Sequence, residues 1–142
     1  MEIGYRNSEG YPDPTPYEAL IRRRGGMKHT FMPVVYICSP YRGDVRTNVL
    51  NARTWSRFAV SRGCIPVAPH LLFTQFMDDG AEGERSIALF MGKALLTKCA
   101  EVWVFGSRIT EGMMSEIVFA RQKGKRIRMF TSECREVTGE CK

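Results

Sequence analysis

Four short hydrophobic runs, separated by segments long enough for helices, constrain this chain more than any other feature. Val34–Cys38 (VVYIC), residues 64–68 (CIPVA), Glu101–Phe105 (EVWVF) and Arg126–Phe130 (RIRMF) read as strands. The first and third are apolar without alternation, the pattern of strands buried on both faces. Pro66 in the second cannot donate a ladder hydrogen bond, so that strand is expected at a sheet edge. Helices are expected over 45–62, 84–98 and 112–123, with glycines at 63 and 124 as stops and Asp44 as a cap. A shorter apolar helical segment over 71–77 ends at Asp78, Asp79 and Gly80. On the first helix, Val45, Val49, Ala52 and Ala59 share one face, beside an arginine face of Arg46, Arg53 and Arg57.

Strands alternating with helices imply right-handed crossovers. The expected fold is single-domain α/β, a doubly wound, mainly parallel sheet of four to five strands with helices on both faces, flavodoxin- or Rossmann-like. The second strand is expected outside the first, and the third on the first strand's other side. A ligand crevice then opens at the C-terminal ends of strands one and three. Residues 33–131 form this domain. Residues 1–32 read as an extension with a Pro12, Pro14, Pro16 lead-in and a short helix from Tyr17, and residues 132–142 as a tail.

With 142 residues, 44% hydrophobic and 25% charged, the chain has the make-up of a globular protein rather than a disordered, collagen-like or coiled-coil one. No apolar run reaches the roughly 18 residues of a membrane span, and the N-terminus shows no secretory pattern, so a cytoplasmic location is expected. The five cysteines are odd in number and lack a C-x-x-C pair, which suggests neither a disulfide framework nor zinc; Cys38 and Cys64 read as buried. His29 and His70 have no clustered acidic partners, so no metal and no cofactor is expected. The net charge of +6 lies in the chain ends: residues 33–120 hold nine Lys/Arg against eight Asp/Glu, a net of +1. Arg22, Arg23 and Arg24, and the basic residues around Lys123–Arg128, therefore read as solvated surface, and a nucleic-acid partner is not favoured.

Two loops flank the expected crevice, SPYRGD over 39–44 and GSRITE over 106–111, each leading into a helix whose N-terminus favours anions. Arg42 offers forked donors to a phosphate or carboxylate, and Gly43 allows close backbone approach. No G-x-G-x-x-G or Walker sequence accompanies them. Glu116 begins the second turn of the helix after strand three and borders its core-facing stripe of Met113, Ile117 and Ala120. His70, after Pro69 at the end of strand two, sits near the same rim and can titrate near neutral pH.

On these pieces the chain resembles the nucleoside 2-deoxyribosyltransferase-like superfamily, and most closely a small bacterial and phage branch of it. The matching segments are YICSPYRGD (36–44), PVAPHLLFTQFMDD (66–79), ER (84–85), MG (91–92), VWVFG (102–106) and GMMSEIVFA (112–120). The resemblance implies that Glu116, in G-x-x-x-E, is the nucleophile of N-glycosidic bond cleavage or base transfer on a nucleoside or nucleoside 5′-monophosphate. It places Ser39, Tyr41, Arg42 and Gly43 near sugar or phosphate, and Gly106, Ser107, Gly112 and Met113 at the substrate. It departs at Gly92, where established transferases carry aspartate; Asp78, Asp79 or Glu84 are the candidates to stand in. The implied partner is a small nucleoside or nucleotide with no membrane, and the implied assembly is a homo-oligomer. A non-catalytic nucleotide-binding protein is the alternative with the same fold, and a nucleic-acid binder through the basic ends is the second.

Overall fold

A computed structural model describes residues 31–137. The helix expected from Tyr17, the cluster Arg22–Arg24, His29 and Cys141 lie outside them. The described order is β1 (Val34–Cys38), α1 (Val45–Ser61), β2 (Ile65–Val67), the short α2 (Pro69–Leu72) with a 3₁₀ turn (Phe73–Gln75), α3 (Glu82–Lys98), β3 (Glu101–Phe105), α4 (Glu111–Gln122) and β4 (Arg126–Phe130). The four strands form one all-parallel sheet in the order β2-β1-β3-β4. This is the α/β arrangement the strand–helix alternation requires, with the crevice at the β1 and β3 C-termini. β2 is an edge strand, and Pro66 pairs with Val35 there, where its missing N–H costs no interior bond.

Each sheet face has its own core. On one, Val35, Ile37, Trp103, Phe105 and Phe130 pack against Trp55 and Ala59 of α1. Trp55 stacks on Phe105 with centroids 5.2 Å apart, and Phe105 on Phe130 at 5.0 Å. On the other, Tyr36, Cys38, Val102 and Val104 meet Leu96 of α3 and Met113, Ile117 and Ala120 of α4. Cys38, Cys64 and Cys99 are buried. The α1 stripe differs from the expected one. Ala52, Trp55 and Ala59 are buried, whereas Val45 is exposed, because the first turns of α1 run past the sheet end into the crevice.

Beyond β4 the chain turns back. Phe130 bridges Glu136 antiparallel, and Val137 N–H donates to the Met129 carbonyl at 2.8 Å. Arg128 holds this return through Glu136, with Oε2 at 2.6 Å, while its guanidinium lies over the Trp103 ring. The turn brings the Ser132 carbonyl 3.1 Å from Trp55 Nε1. Among the described residues no helix is long and apolar enough to cross a membrane.

Candidate functional site

Among the described residues, two polar or charged side chains are buried, Ser39 at 2% and Glu116 at 9% exposure, and both stand at the crevice end of the sheet. Buried polar groups are uncommon without a partner or a purpose. Ser39 follows the last residue of β1, and its hydroxyl is buried with no hydrogen-bond partner. Glu116 is held by the start of α4, where Thr110 caps the helix, its Oγ1 accepting from Met113 N–H at 3.2 Å. With Met113 and Ile117 locked in the core, the carboxyl of Glu116 faces β1 and accepts a hydrogen bond from the Tyr36 hydroxyl.

Burial pushes Glu116 up to about 7, against the opposing pull of the Tyr36 hydroxyl and the positive charge of Lys93. Burial, then the adjacent carboxylate, drives the Tyr36 phenol well above its ordinary range, so the phenol keeps its proton and remains the donor. Glu116 is therefore a carboxyl poised between its two forms at neutral pH, with a fixed donor setting its orientation. Such tuning is common for catalytic acids and bases. Tyr36→Phe removes a bond to a charged acceptor, worth about 1.5–3 kcal/mol. It is expected to raise the Glu116 pKa and move the pH profile of any Glu116-dependent reaction to higher pH. A titration of the variant that leaves the profile in place would show that the hydroxyl does not govern the carboxyl.

Gly92 is buried in α3 beside this pair. A Cβ there would stand 3.4 Å from the Tyr36 hydroxyl oxygen and 3.8 Å from Pro69 Cγ. The phenol thus occupies the space next to the position where the resemblance expects an aspartate. Asp78, Asp79 and Glu84 lie elsewhere, in a small cleft also lined by Tyr41, His70, Phe73 and Arg85; Glu116 is not among its lining residues. Asp79 is paired with Arg42 at 3.4 Å and Arg85 at 4.0 Å. Asp78 Oδ1 accepts from Gly80 N–H at 2.8 Å, the turn its sequence suggested. His70 stacks on Tyr41, centroids 5.0 Å apart. Burial holds its pKa below the ordinary value, partly offset by a hydrogen bond to the Ser39 backbone and by the charge of Asp79.

A larger cleft of about 380 Å³ opens between the two loops. Arg42, Gly43, Gly106 and Ser107 line it, as do Asn48, Asn51, Arg108, Thr110 and Ser132, with Trp55 as an apolar wall. Gly43 and Gly106 both have φ of +98°, a conformation that bars an ordinary side chain and lets each loop leave its strand sharply. Asp44 caps α1 through Thr47, with N at 3.2 Å and Oγ1 at 2.7 Å. Asn48 Nδ2 braces the first loop by donating to the Tyr41 carbonyl at 2.9 Å and the Arg42 carbonyl at 3.1 Å. Gly112 is exposed in the first turn of α4, and Met113 lies in the core at 1% exposure.

Tyr36 and Lys93, beside Glu116, and Asn48, Asn51 and Arg108, in the loop cleft, were not singled out in the sequence; Glu116 is not among the residues that line the loop cleft. Tyr36 is masked by an apolar run, although a buried tyrosine hydroxyl needs a partner. Asn48 and Asn51 had a readable signal: they precede Ala52, Trp55 and Ala59 on the same helix face. Among the described residues no group of three or more His, Cys, Asp or Glu is placed to hold a metal.

Residues 33–130 match the family model described as Domain of unknown function (DUF7768). In structure, the chain is similar to a 2-deoxyribosyltransferase from the psychrotolerant bacterium Bacillus psychrosaccharolyticus, with a TM-score of 0.54 and 16% identity over 69% of this chain and 72% of that one. No curated protein matches the chain in sequence.

Proposed function

The chain belongs to the DUF7768 family, and on that footing, with the fold it has in common with a 2-deoxyribosyltransferase, we propose that it cleaves or transfers the N-glycosidic bond of a nucleoside or nucleoside 5′-monophosphate. The observation that carries this reading is the buried Glu116 carboxyl, raised to about 7 and oriented by the Tyr36 hydroxyl at the crevice end of the sheet. In its ionised form Glu116 attacks the anomeric carbon as the base departs, through an oxocarbenium-like transition state, and forms a glycosyl ester. Water then gives hydrolysis, and a second base gives transfer. Lys93 and the Tyr36 hydroxyl favour the ionised form that attack requires. The neutral imidazole of His70, beside Tyr41, is the candidate to receive or return a proton at the base. Arg42, Gly43 and Ser107, on the loop cleft, are the candidates for sugar and phosphate.

Incubation with a panel of nucleosides and nucleoside monophosphates tests the reading: release of free base is expected, and binding without release supports the second reading, a nucleotide-binding protein. Gly92 favours that second reading, since a glycine beside the Tyr36 hydroxyl supplies no carboxylate of its own there.

Arg42 has a test of its own. Its pair with Asp79 is more than half exposed on the arginine side and worth at most about 1 kcal/mol, so a phosphate can displace it at small cost. Arg42→Ala is expected to weaken binding of a nucleoside monophosphate by about 1.5–3 kcal/mol while leaving the matching nucleoside unaffected. Equal losses for both ligands would remove Arg42 from the phosphate site.

A further inference from the structure

The two clefts at the crevice end of the sheet carry opposite charge. In the lining of the small one, Asp78, Asp79 and Glu84 outnumber Arg85. The loop cleft has two arginines, Arg42 from the loop after β1 and Arg108 from the loop after β3, against a single carboxylate, Asp44. Both oxygens of Asp44 are taken by Thr47, one by its N–H and one by its hydroxyl. Thr110 in turn takes the Met113 N–H, so the capped helix ends offer an anion less than the two guanidiniums do. The guanidiniums differ in what holds them. Arg42 Nε reaches Asp79 at 3.4 Å, and Asp79 lines the small cleft but not the loop cleft, so Arg42 stands on the border of the two. Arg108 is exposed on the other loop, and among the described residues no carboxylate pairs with it. A lone exposed arginine is ordinary. Two on separate loops, lining one cleft whose other polar groups are the neutral amides and hydroxyls of residues such as Asn51, Ser107 and Ser132, provide for two anionic groups.

We propose that the loop cleft binds a nucleoside 5′-diphosphate in preference to the monophosphate, with Arg42 on the phosphate nearer the sugar and Arg108 on the terminal one. The inference rests on reading this cleft as the phosphate side of a nucleotide site, and it does not depend on chemistry at Glu116. The order of the two arginines follows from their places. Arg42 borders the cleft that holds Tyr41 and His70, the side assigned to the base, and Arg108 belongs to the other loop. A monophosphate held by Arg42 leaves Arg108 facing solvent. A second phosphoryl group gives Arg108 a partner without breaking any pair it already has. At about 380 Å³ the cleft is larger than a bare anion needs and falls within the roughly 300–1,000 Å³ of sites for organic ligands, which suits a nucleotide over inorganic pyrophosphate.

Calorimetric titration of the full chain at fixed ionic strength is the test, repeated on Glu116→Gln so that turnover does not consume the ligand. The probes are the 5′-mono- and diphosphates of adenosine, guanosine, cytidine and uridine, with inorganic pyrophosphate beside them. For the preferred base, the diphosphate is expected to bind about tenfold or more tighter than the monophosphate, the size of one charge-assisted arginine contact. Arg108→Ala is expected to abolish that advantage while leaving monophosphate affinity and the circular dichroism spectrum as in the parent, because the residue is exposed in a loop. Arg53→Ala removes an exposed arginine of α1 outside the cleft lining and is expected to leave the advantage intact. That comparison separates a site from the general attraction of a chain with a net charge of +6. Equal affinity for mono- and diphosphates, or no binding of any probe, overturns the proposal. So does a preference that survives Arg108→Ala, one that Arg53→Ala removes as well, or pyrophosphate binding as tight as that of the nucleoside diphosphate. Free base is assayed on the same parental mixtures. Base release without a diphosphate preference strikes this inference and leaves the N-glycosidic reading standing; an Arg108-dependent preference without base release does the reverse.

Discussion

Glu116→Gln is expected to abolish base release, by about 10⁴-fold or more, while leaving ligand binding close to that of the parent. Loss of a catalytic group that acts covalently typically has this size. The amide keeps the shape of the side chain and can still accept from the Tyr36 hydroxyl, but it cannot form a glycosyl ester. The parent should also show a rate that climbs with pH as Glu116 ionises near 7 and levels off above it. Measured by free-base production and by equilibrium binding on the same preparation, the variant should bind and not turn over. A variant that releases base at the parental rate would remove Glu116 from the chemistry.

The same substitution is expected to stabilise the fold at alkaline pH. Glu116 is raised from an ordinary 4.5 to about 7, so between those values the folded protein binds more protons than the unfolded chain. Stability therefore falls as pH rises through this window, and the loss is complete above about 7. A shift of this size corresponds to about 3 kcal/mol as an upper figure. Glutamine does not titrate, so Glu116→Gln should exceed the parent at pH 8 by about 1–3 kcal/mol, several degrees in Tm, with the gap closing toward pH 4. Thermal melts at both pH values check it: a gap that is absent at pH 8, or that persists unchanged at pH 4, would mean that the carboxyl is not strained by its burial. A group that costs stability in the form the chemistry needs is a familiar feature of functional sites.

Much of the fold was readable from the order of the residues. The limits of β1, β3 and β4 follow from short apolar runs with abrupt ends, and Asp44 caps its helix as its position implied. The edge placement of β2 follows from Pro66, which has no N–H to give to an inner ladder. The burial of Glu116 was only half legible. Periodicity put it at the border of the core stripe, but its partner Tyr36 lies 80 positions away, and only the pairing of β1 with β3 and the packing of α4 bring them together. The separation of Asp78, Asp79 and Glu84 from Glu116 was not legible. It depends on where the turn after the Phe73–Gln75 segment leads, and the Arg42 and Arg85 pairs to Asp79 fix that turn only in three dimensions. The α1 stripe was misaligned for a similar reason: its first turns overhang the sheet, so Asn48 and Asn51 meet the loop cleft where hydrophobic residues would otherwise meet the core.

Glu116 as the nucleophile is tested most directly by mass spectrometry of the protein quenched in acid during turnover of a nucleoside or nucleoside monophosphate. The expected result is a peptide carrying Glu116 with the added mass of one sugar or sugar phosphate, lost on mild alkaline treatment as an ester should be, and absent from Glu116→Gln. Free base released with every peptide unmodified, at a rate that Glu116→Gln leaves untouched, would contradict it.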